Sequence, residues 1–351
     1  MQEAPTLPAV PRVRRAWYVI ARSDEVVGAT PLRRQLWGQP IVVFRGEDGL
    51  VGALLDRCPH RDVPLSAGSV IGNHIQCGYH GWEYDCAGHC KRIPGFLGEP
   101  DRRTRRTASF PIREQQDFVW IWADPDSDPA SEPFWFEHAD APGYLTVRHE
   151  VRALASLHAV AENALDVPHT SILHKGLFRN DAQRTRIVAK VERHSDRVSC
   201  EFVGEPRPPG WVARILSPTG GIVTHFDRFF LPSVVQVEYR LGDENHVVSS
   251  AALTPVDDYM TQLHAVICVR TRMPRRLLRP ILQPLALRIF DQDAKLLALQ
   301  TESIRRFGHQ KYLSTDIDLL GPHILRLLWR ASRGDDLAER EPFRAEVELD
   351  V

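Results

Sequence analysis

The sequence has no run of about 20 uninterrupted apolar residues, so we expect no membrane span. Its first ten residues, MQEAPTLPAV, lack the basic start and apolar core of a secretory signal, and we therefore expect a cytoplasmic protein. Charge of neither sign is in excess, because 44 basic and 45 acidic residues give a net charge of -1, which argues against a general nucleic-acid binder. Six cysteines are too few for a disulfide scaffold.

The 351 residues predict two domains rather than one. Prolines at positions 5, 8 and 11 predict an irregular arm over residues 1–15. Residues 16–124 contain short β-branched and aromatic stretches such as AWYVIA, PIVVF and DFVWIWA, which are typical of a small all-β domain. The segment PDSDPASEP predicts a linker over 125–134, so that 135–351 form the second domain.

The second domain is predicted to be α+β. Apolar and polar residues alternate in RIVAKVERHSDRVSCEFVG, VVQVEYRL, HVVSSAAL and QLHAVICVRT, as in strands of a large antiparallel sheet with one solvated face. Apolar residues at spacings of three and four predict helices over about 156–166 and, near the C-terminus, a long one over about 284–306.

Four potential metal ligands lie within CPHRDVPLSAGSVIGNHIQCGYH, residues 58–80. Cys58 and His60 form one mixed pair, and Cys77 and His80 form another. A Rieske [2Fe-2S] cluster requires two cysteines on one iron and two histidines on the other, which these pairs supply. Zinc also accepts two cysteines and two histidines, but zinc sites usually pair like ligands at close spacing.

A second group of potential ligands lies in ENALDVPHTSILH, residues 162–174, which contains Asp166, His169 and His174. In a straight helix the two imidazoles would diverge, because five residues turn the chain by about 140° past one full turn. Pro168 breaks the helix and allows both to face one point. Two histidines and one carboxylate form the Fe(II) site of many non-haem oxygenases.

The long C-terminal helix offers Asp291 and Asp293 as the distant carboxylate. Asp291 has Lys295 four residues later, an ordinary surface pair. The residues three and four positions from Asp293 are all apolar, which predicts that it faces inward: Ile289, Phe290, Leu296 and Leu297. We therefore predict Asp293 as the ligand.

Two motifs resemble those of the Rieske non-haem iron oxygenases, the oxygenase components of ring-hydroxylating and demethylating systems. One is C-P-H followed after sixteen residues by C-x2-H-G-W-x-Y-D, and the other is D-x2-H-x4-H. The resemblance spans about residues 17–307 and implies a Rieske domain followed by a catalytic domain of the helix-grip, or START-like, type. It implies a mononuclear Fe(II), a [2Fe-2S] cluster and O2 as co-substrate. The implied ligands are Cys58, His60, Cys77 and His80 for the cluster, and His169, His174 and Asp293 for the iron.

The resemblance also implies a role for Asp166, which would hydrogen-bond His169 of its own chain and His80 of a neighbouring copy. Such a carboxylate orients the imidazole and tunes the metal. It implies a homo-oligomer, most often a head-to-tail homotrimer in this family.

The function implied is that of a terminal oxygenase component for a hydrophobic small molecule, cyclic or aromatic. It would act as a monooxygenase by hydroxylation or oxidative O- or N-demethylation, and cis-dihydroxylation (a dioxygenase reaction) or desaturation are alternatives at the same iron. The sequence contains neither G-x-G-x-x-G nor C-x4-C-x2-C, so electrons would come from a separate NAD(P)H-dependent reductase, with or without a ferredoxin. Two other classes remain: a Rieske electron carrier with a ligand-binding domain, and a binder that needs no iron.

The remaining candidate residues are assigned to the core, to the surface or to the lining of a substrate cavity. Cys86 and Cys90 form C-x3-C without a second pair, which is a weak metal signal. The basic stretches at 270–279 and 326–333 are expected to be solvated faces. Other histidines are expected in the core or at the surface: His74, His89, His158, His225 and His309. A substrate cavity would have an apolar lining drawn from Leu177, Phe178, Phe229, Phe230, Val234 and Phe290.

Overall fold

The computed structural model describes residues 9–174, 185–205, 223–242, 245–271, 275–335 and 342–350. These residues form two compact units, one of Arg14–Trp135 and one that contains residues 9–13 together with the described part of 136–351. Residues 125–134, expected to link the domains, belong to the first unit, where the Trp17 indole donates to the carbonyl of Ser131 at 2.7 Å.

The first unit is an all-β structure of short strands. Its β-branched and aromatic stretches form three antiparallel sheets, in the orders β1-β10-β9, β2-β3-β4 and β5-β6-β7-β8. The strands are β1 Trp17–Arg22, β2 Leu32–Leu36, β3 Gln39–Arg45, β4 Val51–Leu55, β5 Ser69–Ile71, β6 His74–Gln76, β7 Glu83–Tyr84, β8 Cys90–Arg92, β9 Ile112–Gln115 and β10 Phe118–Trp122.

The second unit is built on one antiparallel sheet of eight described strands, in the order β11-β17-β16-β15-β14-β13-β12-β18. Buried and less buried residues alternate along β12 and β13, as predicted from the sequence, and also along β14. Burial does not alternate strictly along β15, β16 and β17, where the predicted pattern is therefore wrong. The strands are β11 Leu145–Ala153, β12 Arg186–Arg193, β13 Arg197–Val203, β14 Val223–Phe230, β15 Val234–Leu241, β16 Asn245–Asp257, β17 Met260–Arg270 and β18 Phe343–Asp350.

Four described α-helices accompany this sheet: α1 Leu157–Ala164, α2 Thr170–Leu173, α3 Arg275–Phe307 and α4 Gly321–Arg333. The hydroxyl of Ser156 caps α1 by accepting the amide of Ala159. α3 begins nine residues before the predicted helix and contains Pro280 and Pro284. A helix of 33 residues tolerates these prolines because each of them removes only one of its hydrogen bonds. None of the described helices is both long and apolar enough to cross a membrane. The predicted fold class, all-β followed by α+β with a large antiparallel sheet, is confirmed.

Candidate active site

Two loops of the first unit carry the four candidate cluster ligands. The first follows β4, where the amide of Cys58 donates to the carbonyl of Val63 at 2.9 Å. The second connects β6 to β7, where the amide of Cys77 donates to the carbonyl of Trp82 at 2.8 Å. Each loop therefore closes a tight turn immediately after its cysteine.

The side chains of these loops separate into buried thiols and more accessible imidazoles. Cys58 is 2% exposed and Cys77 3%, whereas His60 is half-buried and His80 exposed. The two imidazole centroids are 4.5 Å apart, and Trp82 stacks on His60 at 4.7 Å. Nδ1 of His60 is buried without a hydrogen-bond partner among the described residues. Two thiols and two imidazoles, one of them with an unpartnered buried nitrogen, fit a Rieske cluster.

Burial shifts the pKa values of one thiol and one imidazole of this site. Burial raises the pKa of the Cys58 thiol, although the Tyr84 hydroxyl, 3.4 Å from its Sγ, opposes this shift. Burial and the neighbouring His80 lower the pKa of His60. A neutral His60 has a lone pair available for a metal.

The two ligand loops approach each other through backbone rather than side chains. A Cβ on Gly68 would lie 1.8 Å from the carbonyl oxygen of Gln76, one residue before Cys77. A Cβ on Gly78 would lie 2.8 Å from the carbonyl oxygen of Ala67. Only glycine permits this approach, because a Cβ would force the loops apart.

The candidate mononuclear site begins where the helix predicted over 156–166 ends. α1 stops at Ala164, Pro168 follows, and a new short helix begins at Thr170. Nε2 of His169 and Nε2 of His174, at either end of that short helix, lie 3.3 Å apart. The predicted helix break is therefore present, and it brings both imidazoles to one point.

Asp293 on α3 supplies the third group at this point. Its Oδ1 lies 3.1 Å from Nε2 of His174 and 3.7 Å from Nε2 of His169. The side chain of Asp293 is 16% exposed, whereas Asp291 is 63% exposed and pairs with Lys295 at 2.5 Å. One ligand atom from each of the three residues lies within 4.8 Å of the others. Two imidazoles and one carboxylate fit a non-haem iron with open coordination positions.

Two further polar side chains lie behind the imidazoles. Oδ2 of Asp166 lies 3.4 Å from Nδ1 of His169, and Oε1 of Gln292 accepts from Nδ1 of His174 at 3.0 Å. With its Nδ1 proton held in this way, His174 presents the lone pair of Nε2 to the site. Gln292 was not predicted, because neighbouring residues of a helix point about 100° apart and its place beside Asp293 gave no signal.

A cavity of about 290 Å³ in the second unit reaches all three of these side chains. Its apolar lining includes Val151, Val160, Val235, Val237, Leu263, Ile267, Ile289, Phe290 and Leu297. Of the lining residues suggested by the sequence, Phe290 is present, whereas Phe229, Phe230 and Val234 do not line this cavity. Phe230 and Val234 alternate with the residues of β14 and β15 that do line it, so they point to the other face of the sheet. Leu177 and Phe178 lie outside the described residues.

His225 is buried, as expected of a core histidine, but it also lines the cavity. Its Nδ1 lies 2.7 Å from Oε2 of Glu205 and its Nε2 lies 3.0 Å from Oδ1 of Asp227. Burial alone would lower the pKa of His225, but Asp227 and Glu205 outweigh burial and raise it to about 9. The pattern H-x-D on an alternating strand was the signal that two polar side chains share one inward face.

Profiles of two protein families match the chain: the Rieske [2Fe-2S] domain over residues 16–101, and the vanillate O-demethylase oxygenase C-terminal domain over 154–333, which is more than half of the 351 residues. The chain belongs to the Rieske oxygenase family. This membership confirms the resemblance found in the sequence and decides against the zinc interpretation of the first site.

Two bacterial relatives and one plant relative illustrate the range of the family. The chain is 37% identical to the oxygenase component of dicamba O-demethylase from Stenotrophomonas maltophilia over 48% of this chain and 50% of that protein. It is 33% identical to the oxygenase component of chloroacetanilide N-alkylformylase from Rhizorhabdus wittichii, over 57% of each. Chlorophyllide a oxygenase of Arabidopsis thaliana is 26% identical over 95% of this chain and 60% of its own length. The chain thus spans about half of the length of the curated relatives that it matches.

Solved structures share the fold of this member of the family. Dicamba monooxygenase bound to dicamba superposes with a TM-score of 0.77 at 23% identity, over 92% of this chain and 98% of the other. The QL mutant of Pseudomonas putida CBB5 NdmA with theobromine gives a TM-score of 0.74 at 22% identity, over 91% of each chain. Both domains of the family fold are therefore present in the chain.

We expect Gly68→Ala to lose most of its acid-labile sulfide, because the new Cβ would collide with the backbone that precedes Cys77. Gly72→Ala is the control: it meets no neighbour within 4 Å and carries only the cost of its positive φ, about 1 kcal/mol. Sulfide and the visible absorption of the cluster measure both. Full sulfide in the Gly68 variant would show that the close approach does not hold the loops in place.

We expect Asp293→Ala to hold about two irons per chain instead of about three, with its sulfide unchanged, because the first site keeps its own ligands. Asp291→Ala, two residues away on the same helix and paired only with Lys295, should keep all its iron. Metal and sulfide analysis of anaerobically purified protein measures the difference. Equal iron in the two variants would exclude Asp293 as a ligand.

Proposed function

We propose that the chain is the terminal oxygenase component of a multicomponent Rieske system, which uses O2 and two external electrons to hydroxylate or oxidatively O- or N-demethylate a hydrophobic cyclic or aromatic small molecule. The observation that carries this proposal is the cavity that ends at His169, His174 and Asp293. A pure electron carrier would need neither this cavity nor these three side chains.

Seven residues would hold the two metal centres. We propose that Cys58, His60, Cys77 and His80 hold the cluster, and that His169, His174 and Asp293 hold a mononuclear Fe(II). When bound, an iron with this ligand set supplies oxygen activation at its open positions. The contribution of the chain is to hold Nδ1 of His174 through Gln292, to place Asp166 3.4 Å from Nδ1 of His169, and to keep Oδ1 of Asp293 buried beside their Nε2 atoms.

The cavity supports a substrate of one or two rings rather than a macromolecule. Its volume of about 290 Å³ suits a small aromatic compound, and its valine, leucine and isoleucine lining excludes water from the reacting carbon. The names of the relatives support the demethylating and dealkylating branch, since they include dicamba and vanillate O-demethylases and a chloroacetanilide N-alkylformylase.

Electrons would enter from a separate NAD(P)H-dependent reductase, with or without a ferredoxin. The relatives named as oxygenase components or subunits support the same division of labour.

Transfer between the two centres would occur between copies of the chain in a homotrimer. Asp166 supports this proposal because it lies beside His169 and is 34% exposed on a cleft of about 200 Å³. Its carboxylate is thus accessible to His80 of a neighbouring copy, and a heterologous contact that closes on itself gives a ring. The cytoplasmic location expected from the sequence stays a prediction.

A single-turnover experiment tests the oxygenase activity without the reductase. Chemically reduced holoprotein should, on addition of O2, release about one formaldehyde per active site from an O-methyl or N-methyl arene, because the reduced metals supply the two electrons. Methoxy- and N-methylarenes form the screening panel, and His174→Ala is the control without the mononuclear site. If no member of the panel is oxidised and both proteins consume O2 equally, the electron-carrier function is favoured.

We expect Asp166→Asn to keep its iron and sulfide but to oxidise its cluster at least about tenfold more slowly in that experiment, because the bridge between the centres loses its charge. Asp316→Asn, an exposed acid of the same unit, should react like the wild type. Stopped-flow absorption of the cluster measures both rates, and light scattering should give three times the chain mass of 39.9 kDa. An unchanged rate in the Asp166 variant would remove this residue from the electron path.

A further inference from the structure

The active-site cavity lies between a wall formed by the sheet and a wall formed by helices. Strands β11, β14, β15, β16 and β17 line it on one side, and α1, residues 165–170 and α3 line it on the other. The candidate iron ligands His169, His174 and Asp293 all belong to the helix wall. A substrate in the cavity therefore presents its reacting carbon to the helix wall and another part of its surface to the sheet wall.

Ser249 places a single hydroxyl within an apolar patch of the sheet wall. Its neighbours along β16 on the same face are Val247 and Ala251. Its partners in register on the two adjacent strands are Val237 and Ile267. All five residues line the cavity, so the hydroxyl is surrounded by aliphatic side chains.

The other polar side chains of the sheet wall already have partners. Asp227 and Tyr239 both engage His225, the first with 3.0 Å between Oδ1 and Nε2 and the second with 4.0 Å between ring centroids. The hydroxyl of Ser250 accepts from Nε2 of Gln236 at 3.2 Å. These contacts account for each described polar residue of this wall except Ser249.

The hydroxyl of Ser249 has no hydrogen bond with any residue that the structure describes, and its oxygen is not sealed off by the protein around it. The amide of Asn163 likewise has no side-chain hydrogen bond to a described residue, but it lies at the end of α1 and belongs to the helix wall. Ser249 is therefore the open polar group of the described sheet wall. A serine hydroxyl can both donate and accept a hydrogen bond.

A substrate that fills the cavity removes this hydroxyl from solvent. A hydrocarbon surface leaves the hydroxyl unpaired, which costs binding free energy, whereas a neutral oxygen or nitrogen of the substrate restores its hydrogen bond. One polar group in an apolar pocket thus selects the class of ligand and also fixes its orientation.

We infer that Ser249 is a specificity-determining residue, which selects substrates with a neutral hydrogen-bonding oxygen or nitrogen at the end remote from the oxidised carbon. The inference rests on the proposed function, since it concerns the substrate of the same cavity. The polar end of the substrate contacts Ser249 on the sheet wall, while the carbon to be oxidised faces the helix wall. Ketones, ethers, amides and phenols have such a group, and simple alkylarenes do not.

Two probes of equal shape test the inference: 4-methoxyacetophenone and 4-isopropenylanisole, in which a methylene group replaces the carbonyl oxygen. Calorimetry gives their dissociation constants for the iron-loaded wild type and for Ser249→Ala, under anaerobic conditions and with the cluster oxidised, so that no turnover is required. We expect the preference for the ketone, expressed as the ratio of the two constants, to fall at least about fivefold in the variant, because one neutral hydrogen bond is lost. Comparing ratios cancels the difference in hydrophobicity between the probes.

Ser199→Ala is the matched control, because it removes a hydroxyl from β13 of the same sheet at a position that does not line the cavity. This variant should keep the wild-type ratio. An unchanged ratio in folded Ser249→Ala with full iron, or no binding of either probe to the wild type, overturns the inference.

The carbonyl stretching band of the bound ketone gives a second readout, which needs only the wild-type protein. A hydrogen bond weakens the C=O bond, so we expect infrared difference spectroscopy to show the band at a lower frequency than in heptane. A band at its heptane position overturns the inference, and this measurement decides should Ser249→Ala not fold. Ketone selectivity that depends on Ser249, without any oxidation of arenes in the single-turnover experiment, would leave this inference standing and contradict the proposed function.

Discussion

The chain break at Pro168 is the constraint on which the rest of the catalytic unit depends. A continuous helix from Leu157 onwards would carry His169 and His174 to different faces, because five residues overshoot one turn by about 140°. With the break, both Nε2 atoms face Asp293 on α3, more than a hundred residues away in the sequence. The cavity, the carboxylate at its end and the position of Asp166 all follow from this one local departure from helical geometry.

Much of this arrangement could be predicted because it depends on patterns within short stretches of the sequence. The alternation in β12 and β13, the mixed Cys/His pairs, and the apolar neighbours that distinguish Asp293 from Asp291 can each be recognised from a few nearby residues. The start of α3 was predicted nine residues too late, because the helix continues through Pro280 and Pro284. The free energy lost at each proline is smaller than the stabilisation from the surrounding hydrogen bonds of the long helix. The cavity lining was less predictable: for Phe230 and Val234 the correct choice required knowing which face of the sheet the helices cover.

Gln292 and Glu205 could not have been assigned from the sequence for a different reason. Gln292 acts through Nδ1 of His174, 118 positions away, and Glu205 through Nδ1 of His225 on a neighbouring strand. Such partners have no motif of their own, because a carboxylate or an amide oxygen in many places could reach the same nitrogen. The tertiary structure alone selects which acceptor does so.

The ion cluster around His225 is difficult to explain as a device for stability alone. Burying one imidazolium and two carboxylates costs several kcal/mol per ion in desolvation, and apolar residues of similar volume in such positions are often equally stabilising. The strands around the cluster already offer Phe202, Val235 and Val237, so an apolar wall would have continued the lining without a break. What the cluster does supply is a fixed geometry, because Glu205 and Asp227 hold the imidazole of His225 by both of its nitrogens.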